Sequence, residues 1–323
     1  MPKFLIIRFS SIGDIVLTSP VVRCIKKQIP SAQVHYITKE TFKSVIDNNP
    51  YVDKVYAIDK DVSEVTGDLK KENYDFVIDL HHNLRSMQVK RALGNPSASF
   101  PKLNVEKWLK VNLKIDKLPD VHIVDRYFEA VKSLNVKNDE AGLDYFIPVS
   151  DEVNIAALPI THQNGYIGFV IGARHFTKQF PEHKIIETCK LLNSPIVLLG
   201  GKEDAEKAQR IESAIGRNIY NACGKYTLNQ SASLVKQAQK IITNDTGLMH
   251  IAAAFKKDII SLWGNTIPEF GMYPYKSGTN SHIMEIKGLG CRPCSKIGYR
   301  ACPKKHFKCM EEIKVEQIVS NCR

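Results

Sequence analysis

The chain alternates short β-rich runs with helical patterns, and this alternation constrains the fold more than any other feature. The predicted strands are residues 4–9, 33–37, 54–58, 76–80, 166–171, 196–199, 218–220, 240–243 and 258–262. Strands that alternate with helices form parallel sheets with helices on both faces. The sequence therefore predicts an α/β protein built from two doubly wound halves.

The same alternation divides the chain into two domains. A length of 323 residues gives each half enough chain for its own core. The predicted N-terminal domain spans residues 1–155, and the C-terminal domain spans residues 156–311. The last helical pattern follows a cysteine-rich loop, and we expect this C-terminal helix, residues 312–323, to pack back on the first domain.

Composition and charge limit the class of protein and its partners. With 43% hydrophobic and 24% charged residues, the chain is typical of a globular protein. No apolar run approaches the roughly 20 residues that cross a bilayer, and the first residues lack the apolar core of a signal peptide, so we expect a cytoplasmic protein. The net charge of +11 favours acidic partners: a nucleic acid, an anionic membrane surface or a phosphorylated substrate.

Five of the eight cysteines lie near the C-terminal end. Cys291, Cys294, Cys302 and Cys309 form a C-x2-C-x7-C-x6-C pattern, with His306 in the last gap. Only the first pair has the spacing of a zinc site. Two interpretations stay open: a structural zinc, and a loop whose thiols pack or pair without metal, which the spacing favours.

Residues 244–250 indicate an anion-binding turn. A predicted strand ends here and a helix begins, and the unpaired backbone N–H groups of a helix start suit a phosphate. His250 lies one turn further on, on the face of Thr246 and Gly247. The alternative is that Asp245 caps an ordinary helix and His250 is a core histidine. The segment alone leaves both interpretations open.

A carboxylate follows the first strand, where a phosphate-binding loop would have glycines and a lysine. Neither G-x-G-x-x-G nor G-x-x-x-x-G-K-[ST] occurs in the chain, which argues against a nicotinamide dehydrogenase and a P-loop enzyme. Asp14 is either a helix-start residue favoured by the helix dipole or, facing a cleft between the domains, a general base for a sugar hydroxyl.

Two further loops follow strands of the second half. Arg174, Thr177 and Lys178 could neutralise a diphosphate leaving group. A loop lysine by itself is usually just solvated, but the place of Lys178 beside a glycine-rich strand end favours the phosphate role. After the next strand, Glu203 or Asp204 could accept ribose hydroxyls beside a glycine turn, and the alternative is a plain turn that caps a helix.

Three of these segments together resemble glycosyltransferase family 9, the ADP-heptose:lipopolysaccharide heptosyltransferase family. They are residues 7–16, 178–181 and 245–254, and Cys-x-Pro-Cys and Cys-Met elements near the end extend the likeness. The resemblance implies a GT-B architecture of two Rossmann-like domains facing a cleft, with acceptor bound by the first and nucleotide sugar by the second. It also implies inversion at the anomeric centre without a metal, so no cofactor is required beyond the ADP-sugar substrate.

The resemblance also implies roles for particular residues. Asp14 matches the aspartate that deprotonates the acceptor, and Lys178, beside Thr177, matches the lysine that contacts the donor phosphates. Glu203 and Asp204 compete for the position that holds the nucleoside. The loop residues expected near the acceptor are Arg8, Ser10, Ser11 and Gly13. The donor-binding turn is expected to contain Asp245, Thr246, Gly247 and His250. Arg174 and His175 replace residues that are richer in threonine in better-known members, so sugar selectivity can differ.

The resulting hypothesis is an inverting, metal-independent glycosyltransferase that moves a heptose or related sugar from an ADP-sugar to a lipopolysaccharide inner-core or related glycolipid acceptor. We expect a monomer, peripheral at the inner face of the inner membrane, that binds no nucleic acid. The basic residues that could meet the membrane are Arg85, Lys90, Arg91, Lys102, Lys107 and Lys110. The alternative is a non-enzymatic, basic nucleic-acid-binding module with a metal loop, which lacks a recognisable reading element.

Overall fold

The computed structural model describes residues 1–322 and divides into two compact units. Unit 1 contains residues 1–102 and 121–146, and unit 2 contains residues 103–120 and those from 147 onward. This division differs from the predicted boundary at residue 155 in two respects. The second crossing falls near residue 146, and residues 103–120 belong with unit 2 although they lie in the first half of the chain.

Eleven strands and twelve α-helices can be assigned among the described residues. The strands are β1 (Lys3–Ile7), β2 (Gln33–Lys39), β3 (Lys54–Ile58), β4 (Phe76–Asp79), β5 (Ser97–Ser99), β6 (Ile167–Val170), β7 (Ile196–Leu199), β8 (Ile219–Asn221), β9 (Lys240–Asn244), β10 (Asp258–Trp263) and β11 (His282–Glu285). The helices are α1 (Ile12–Val16), α2 (Ser19–Gln28), α3 (Ser63–Lys71), α4 (Leu84–Leu93), α5 (Asn104–Asn112), α6 (Ile123–Phe128), α7 (Glu182–Leu192), α8 (Ala205–Ile215), α9 (Leu228–Gln237), α10 (Gly247–Ala254), α11 (Lys308–Glu311) and α12 (Val315–Cys322). Short 3-10 turns occur in several of the connections.

Unit 1 is built on a five-stranded parallel sheet in the order β3-β2-β1-β4-β5. Its central strand β1 carries Leu5, Ile6 and Ile7, which are fully buried. Consecutive buried residues are typical of a strand covered on both faces, because each face then packs on helices. The strand order reverses between β1 and β4, so the carboxyl ends of these two strands form the topological switch point of the unit.

Unit 2 is built on a six-stranded parallel sheet in the order β11-β10-β9-β6-β7-β8. Its strand order reverses between β6 and β9, which places a second switch point at the carboxyl ends of those strands. The prediction of two doubly wound, Rossmann-like α/β units is therefore confirmed. No helix among residues 1–322 has the length and apolar character to cross a membrane.

The C-terminal helix does not lie where the sequence predicted. Helix α12 packs on α7 and belongs to unit 2, with Ile318 and Val319 in the same buried cluster as Ile185 and Cys189. These apolar side chains are covered by the second unit's own helices and strands. The expectation that residues 312–323 return to the first domain is therefore wrong for the described residues.

Candidate active site

The switch point of unit 1 holds an arginine and a carboxylate. Helix α1 begins directly after β1, and Ser11 at its N-cap donates to Asp14 through both its backbone N–H (3.1 Å) and its hydroxyl (2.7 Å). Arg8 approaches the other carboxylate oxygen, with 2.5 Å between its Nη2 and Asp14 Oδ1. Asp14 is therefore fixed at both oxygens, while about a fifth of its side chain (22%) stays exposed.

Arg8 is held in place by groups from both sides of the switch point. Its Nη1 donates to the Leu80 carbonyl, just past β4, at 2.5 Å and to the Tyr127 hydroxyl at 3.1 Å, and its Nε donates to the Ser10 carbonyl at 2.8 Å. Burial alone would lower the pKa of Arg8, but Asp14 and Tyr127 outweigh it and the pKa is raised. The guanidinium therefore remains charged and stabilises the Asp14 carboxylate.

His81 is a residue of this site that the sequence analysis missed. It follows β4, and its ring packs edge-on against Phe9 with 5.4 Å between the ring centroids. Burial, followed by the charges of Arg8 and Lys102, lowers the pKa of His81 to about 4. Its buried Nδ1 has no hydrogen-bond partner among residues 1–322. The sequence did contain an indication of its role, because His81 directly follows a predicted strand and ligands of doubly wound sheets bind at the ends of strands.

The switch point of unit 2 brings together the predicted donor residues Lys178 and Asp245. Lys178 Nζ lies 2.5 Å from Asp245 Oδ2, and the Thr266 hydroxyl donates to the same oxygen at 3.0 Å. The side chains of Lys178 and Asp245 are 17% and 11% exposed, so the pair is largely shielded from water. The Asp245 carboxylate is thus turned toward Lys178 and Thr266.

Helix α10 begins in the turn after β9. Thr246 is its N-cap residue and Gly247 its first helical residue, and the Thr246 side chain forms no capping hydrogen bond. The interpretation of Asp245 as the N-cap of an ordinary helix does not hold, because Thr246 occupies the N-cap position. His250 is buried (2% exposed) in the same helix.

Asn244 joins the loop ends around this switch point, and the sequence analysis assigned it no role. Its side-chain amide donates to the carbonyls of Ile171 and Gly172 at 3.3 Å, and its Oδ1 accepts the Phe180 N–H at 3.1 Å. The end of β9 is thereby tied to the end of β6 and to the loop that carries Lys178. Asn244 therefore positions the lysine without contacting it.

Thr177 and the cysteine loop form a second support for the Lys178 loop. Thr177 is buried, its N–H donates to the Tyr299 carbonyl at 3.2 Å, and its hydroxyl accepts the Tyr299 N–H at 2.8 Å. Burial lowers the pKa of His175, and the charges of Lys178, Arg174 and Arg300 lower it further. Arg300 is therefore a further cation near this loop, which the sequence analysis did not single out.

The two acidic residues after β7 lie in different environments. Asp204 is buried (5% exposed), and its Oδ2 accepts the Gly201 N–H at 3.0 Å. Its carboxylate fills the space beside Gly172, where an added Cβ would lie 2.0 Å from Oδ2. Burial raises the pKa of Asp204. Glu203 is exposed. Asp204 is therefore the residue at the carboxyl edge of the sheet, next to the end of β6.

The cysteine loop does not present a metal site. No group of three or more His, Cys, Asp and Glu side chains within residues 1–322 is arranged to hold a metal ion. Cys294 Sγ donates to the Cys291 carbonyl at 3.0 Å, Cys291 Sγ lies 3.7 Å from His306 Nε2, and Cys309 is buried. The possible zinc at Cys291, Cys294, Cys302 and Cys309 is therefore not supported among the described residues.

The predicted basic surface is divided between the units. Lys107 and Lys110 lie on α5 in unit 2, whereas Arg85, Lys90, Arg91 and Lys102 lie in unit 1. Lys90 forms an ion pair with the buried Asp79 at 2.9 Å, so its charge is used within the fold. The expectation that all six residues lie on the N-terminal domain is therefore wrong, because Lys107 and Lys110 belong to unit 2.

Comparison with known proteins gives the class of the chain. Its two parallel, doubly wound units make it an α/β protein of the GT-B fold. The sequence model of glycosyltransferase family 9 (heptosyltransferase) matches residues 62–304, and the chain belongs to this family. It is therefore a glycosyltransferase, and the alternative of a non-enzymatic nucleic-acid-binding module is rejected.

Individual relatives align with this sequence over most of its length. Lipopolysaccharide heptosyltransferase 1 of Campylobacter coli is 26% identical over 292 residues, which cover 82% of this chain and 84% of the relative. Lipopolysaccharide heptosyltransferase 2 of Escherichia coli K12 is 23% identical over 83% of this chain and 84% of its own length.

Solved structures show the same fold. A family 9 glycosyltransferase of Veillonella parvula superposes with a TM-score of 0.81 at 22% identity, covering 99% of this chain and 96% of the other. The E. coli heptosyltransferase WaaC with ADP superposes with a TM-score of 0.70 at 21% identity, covering 99% and 100%.

Proposed function

We propose that this enzyme transfers a heptose or related sugar from an ADP-sugar to a lipopolysaccharide inner-core or related glycolipid acceptor, with inversion and without a metal ion. The observation that carries the proposal is the contact of Lys178 with Asp245 at the switch point of unit 2, beside the uncapped start of α10. A cation next to free helix N–H groups suits a diphosphate. The relatives named for heptosyl transfer and the relative solved with ADP support the choice of donor and acceptor.

Donor binding is assigned to unit 2. Lys178 donates to a phosphate oxygen, and the backbone N–H groups that follow Thr246 donate to the same diphosphate. This arrangement stabilises the negative charge that develops on ADP as it leaves. Asp204, at the end of the neighbouring strand β7, is the better placed of the two acidic candidates for the nucleoside, because Glu203 points to solvent-exposed surface.

Acceptor activation is assigned to unit 1. Asp14 removes the proton of an acceptor hydroxyl as that oxygen bonds to the anomeric carbon and the bond from this carbon to the diphosphate oxygen breaks. Attack opposite to the leaving group inverts the anomeric centre. Arg8 pairs with one oxygen of the Asp14 carboxylate, and Ser11 donates to the other and fixes its orientation.

The place of action is proposed from the acceptor. A lipopolysaccharide precursor is a membrane lipid, so we place the enzyme, as a monomer, at the cytoplasmic face of the inner membrane. The net charge of the chain, +11, favours binding to an anionic membrane surface and to a phosphorylated acceptor.

The test is turnover of ADP-heptose with a lipopolysaccharide inner-core acceptor by Asp14→Asn. Loss of the general base is expected to lower kcat about 100- to 10,000-fold and to leave the affinity for ADP unchanged. Chelation with EDTA should not lower the wild-type rate, and NMR of the product should show the inverted anomer.

Asp139→Asn is the matched control, because Asp139 also pairs with a buried arginine of unit 1, Arg23, at 2.7 Å. Both variants leave a buried guanidinium with fewer partners, so both lose stability. Only Asp14→Asn should lose transfer. Wild-type kcat in Asp14→Asn, or an equal loss of kcat in Asp139→Asn, would remove the assignment of Asp14 as the base.

A further inference from the structure

Helix α5 and the residues after it expose an unusual amount of apolar surface. Four apolar side chains are strongly exposed: Val105 (67%), Trp108 (55%), Leu113 (53%) and Ile115 (44%). The structure describes all nine residues of α5, and none of them is buried. Single exposed apolar side chains are ordinary, but four of them within residues 105–115 form a patch of the kind that marks a binding surface.

The spacing of these residues makes α5 amphipathic. Val105, Trp108 and Leu109 stand at i, i+3 and i+4, so they share one face of the helix. Lys107 and Lys110 stand at i and i+3 on a different face, and Lys110 pairs with Asp116 at 2.5 Å. A helix with Trp and aliphatic residues on one side and lysines on the other is typical of elements that lie in a membrane interface.

A second exposed segment adjoins α5 within unit 2. Lys114 Nζ, just after α5, donates to the carbonyls of Pro293 (2.7 Å) and Cys291 (3.4 Å). These two residues belong to what we call the basic loop, residues 286–308, which contains seven Lys and Arg and no Asp or Glu. The chain therefore places its most cationic stretch beside its exposed amphipathic helix.

The outer part of the basic loop combines charge with apolar side chains in the same way. Lys296, Lys304 and Lys305 are exposed. Ile297 is 58% exposed, and Tyr299 is 41% exposed. An exposed loop with this composition has both components of interfacial binding, which are apolar side chains to insert and cations to meet lipid phosphates.

We propose that α5 and the basic loop together form the surface by which the enzyme binds an anionic phospholipid membrane. Trp108 and the aliphatic residues enter the head-group region, and the lysines meet the lipid phosphates. The proposal rests on the proposed function, which requires a lipid-linked acceptor. A nucleic acid is the less favoured occupant, because it would leave Val105, Leu113 and Ile297 in water.

Intrinsic fluorescence tests the insertion of Trp108 directly. The chain has two tryptophans, and Trp263 is buried (1% exposed) with its indole N–H donating to Ser261 at 3.0 Å. Only Trp108 can therefore respond to lipid. Titration with phosphatidylglycerol vesicles should shift the emission to shorter wavelength, phosphatidylcholine vesicles should not, and Trp108→Phe should abolish the shift.

Vesicle sedimentation tests the charge component. Each Lys near an anionic surface contributes about 1 kcal/mol, so Lys304→Ala with Lys305→Ala should weaken binding roughly 30-fold. Lys70→Ala with Lys71→Ala, on exposed positions of α3, removes the same charge and should leave binding unchanged. Ile160→Ser, at a 78% exposed position of unit 2, is the matched control for Trp108→Ser, which should weaken binding.

The outcomes separate this inference from the proposed function. No emission shift with phosphatidylglycerol, equal binding to both vesicle types, or equal weakening by test and control variants overturns the membrane surface. Single-stranded RNA that displaces the vesicles at physiological salt reassigns the surface and also overturns the inference. Transfer to a delipidated, soluble acceptor tests the reaction alone: vesicle binding without such transfer overturns the proposed function and leaves the membrane surface standing.

Discussion

Replacing Lys178 by Met keeps the length of the side chain and removes the ammonium that lies 2.5 Å from Asp245. A hydrogen bond from a charged group to a phosphate is worth about 1.5 to 3 kcal/mol. If Lys178 binds the donor diphosphate, the Kd for ADP should rise about 10- to 150-fold. Lys178→Arg keeps the charge and should recover part of this affinity.

The same substitution also affects stability, and the size follows from the burial of the pair. Breaking a fully buried ion pair costs about 3 to 5 kcal/mol. Asp245 is 11% exposed and keeps the hydrogen bond from Thr266, so the loss should be nearer 1 to 3 kcal/mol. For a domain of this size that lowers the unfolding midpoint by about 2 to 12 °C. Ligand binding must therefore be measured well below the midpoint of the variant.

Calorimetric titration with ADP and with adenosine distinguishes a phosphate contact from local damage. Adenosine lacks the diphosphate, so its affinity should be the same in wild type and Lys178→Met, whereas the affinity for ADP should fall. Lys202→Met, at an exposed lysine after β7, is the control and should change neither. An equal loss for both ligands, or an unchanged Kd for ADP, would refute the assignment of Lys178 to the diphosphate.

Two further variants test the packing of the sites. Because burial lowers the pKa of His81 to about 4, the unfolded chain binds a proton between about pH 6.5 and 4 that the folded chain does not. Folded stability should therefore fall by about 3 kcal/mol as the pH drops through this window, since one pKa unit corresponds to about 1.4 kcal/mol. Urea unfolding of His81→Asn should lack that slope, and parallel slopes would contradict the burial argument. Gly172→Ala places a Cβ 2.0 Å from the Asp204 carboxylate and should cost about 1 to 3 kcal/mol in thermal unfolding. Gly67→Ala in α3, where no described atom lies within 4 Å of the added Cβ, should not destabilise, and equal effects at both glycines would argue against a tight contact at Gly172.

The regular elements were predictable where the local pattern was strong. The predicted strands at 54–58 and 196–199 have the bounds of β3 and β7. These segments are short apolar runs or amphipathic patterns with polar flanks, so local preference and burial agree. Strands β5 and β11 were missed, because Ser97–Ser99 and His282–Glu285 lack a continuous apolar run.

The predictions that failed depended on packing between distant segments. The pattern of α12 showed an apolar face but not that Ile318 and Val319 would be buried in unit 2. Likewise, residues 103–120 lie between segments of unit 1 in the sequence, and their position is fixed by contacts such as that of Lys114 with Pro293. The distinction between Glu203 and Asp204 also needed the structure, because only the structure shows that Asp204 is buried and Glu203 is exposed.

The two candidate sites occupy the same topological position, and in each of them a cation pairs with a carboxylate. In unit 1 the strand order reverses at β1 and β4, and a carboxylate stands there, supported by Arg8, which also binds the Leu80 carbonyl across the switch point. In unit 2 it reverses at β6 and β9, and a lysine stands there on a loop that Asn244 ties across the switch point. A switch point leaves room for a ligand but does not determine its charge. The proposed transfer of a sugar from a diphosphate to a hydroxyl needs one base and one anion-binding cation, and we propose Asp14 and Lys178 for these roles. In the sequence, the helix start after β9 therefore indicated only one of the two groups, and the carboxylate after β1 indicated the other.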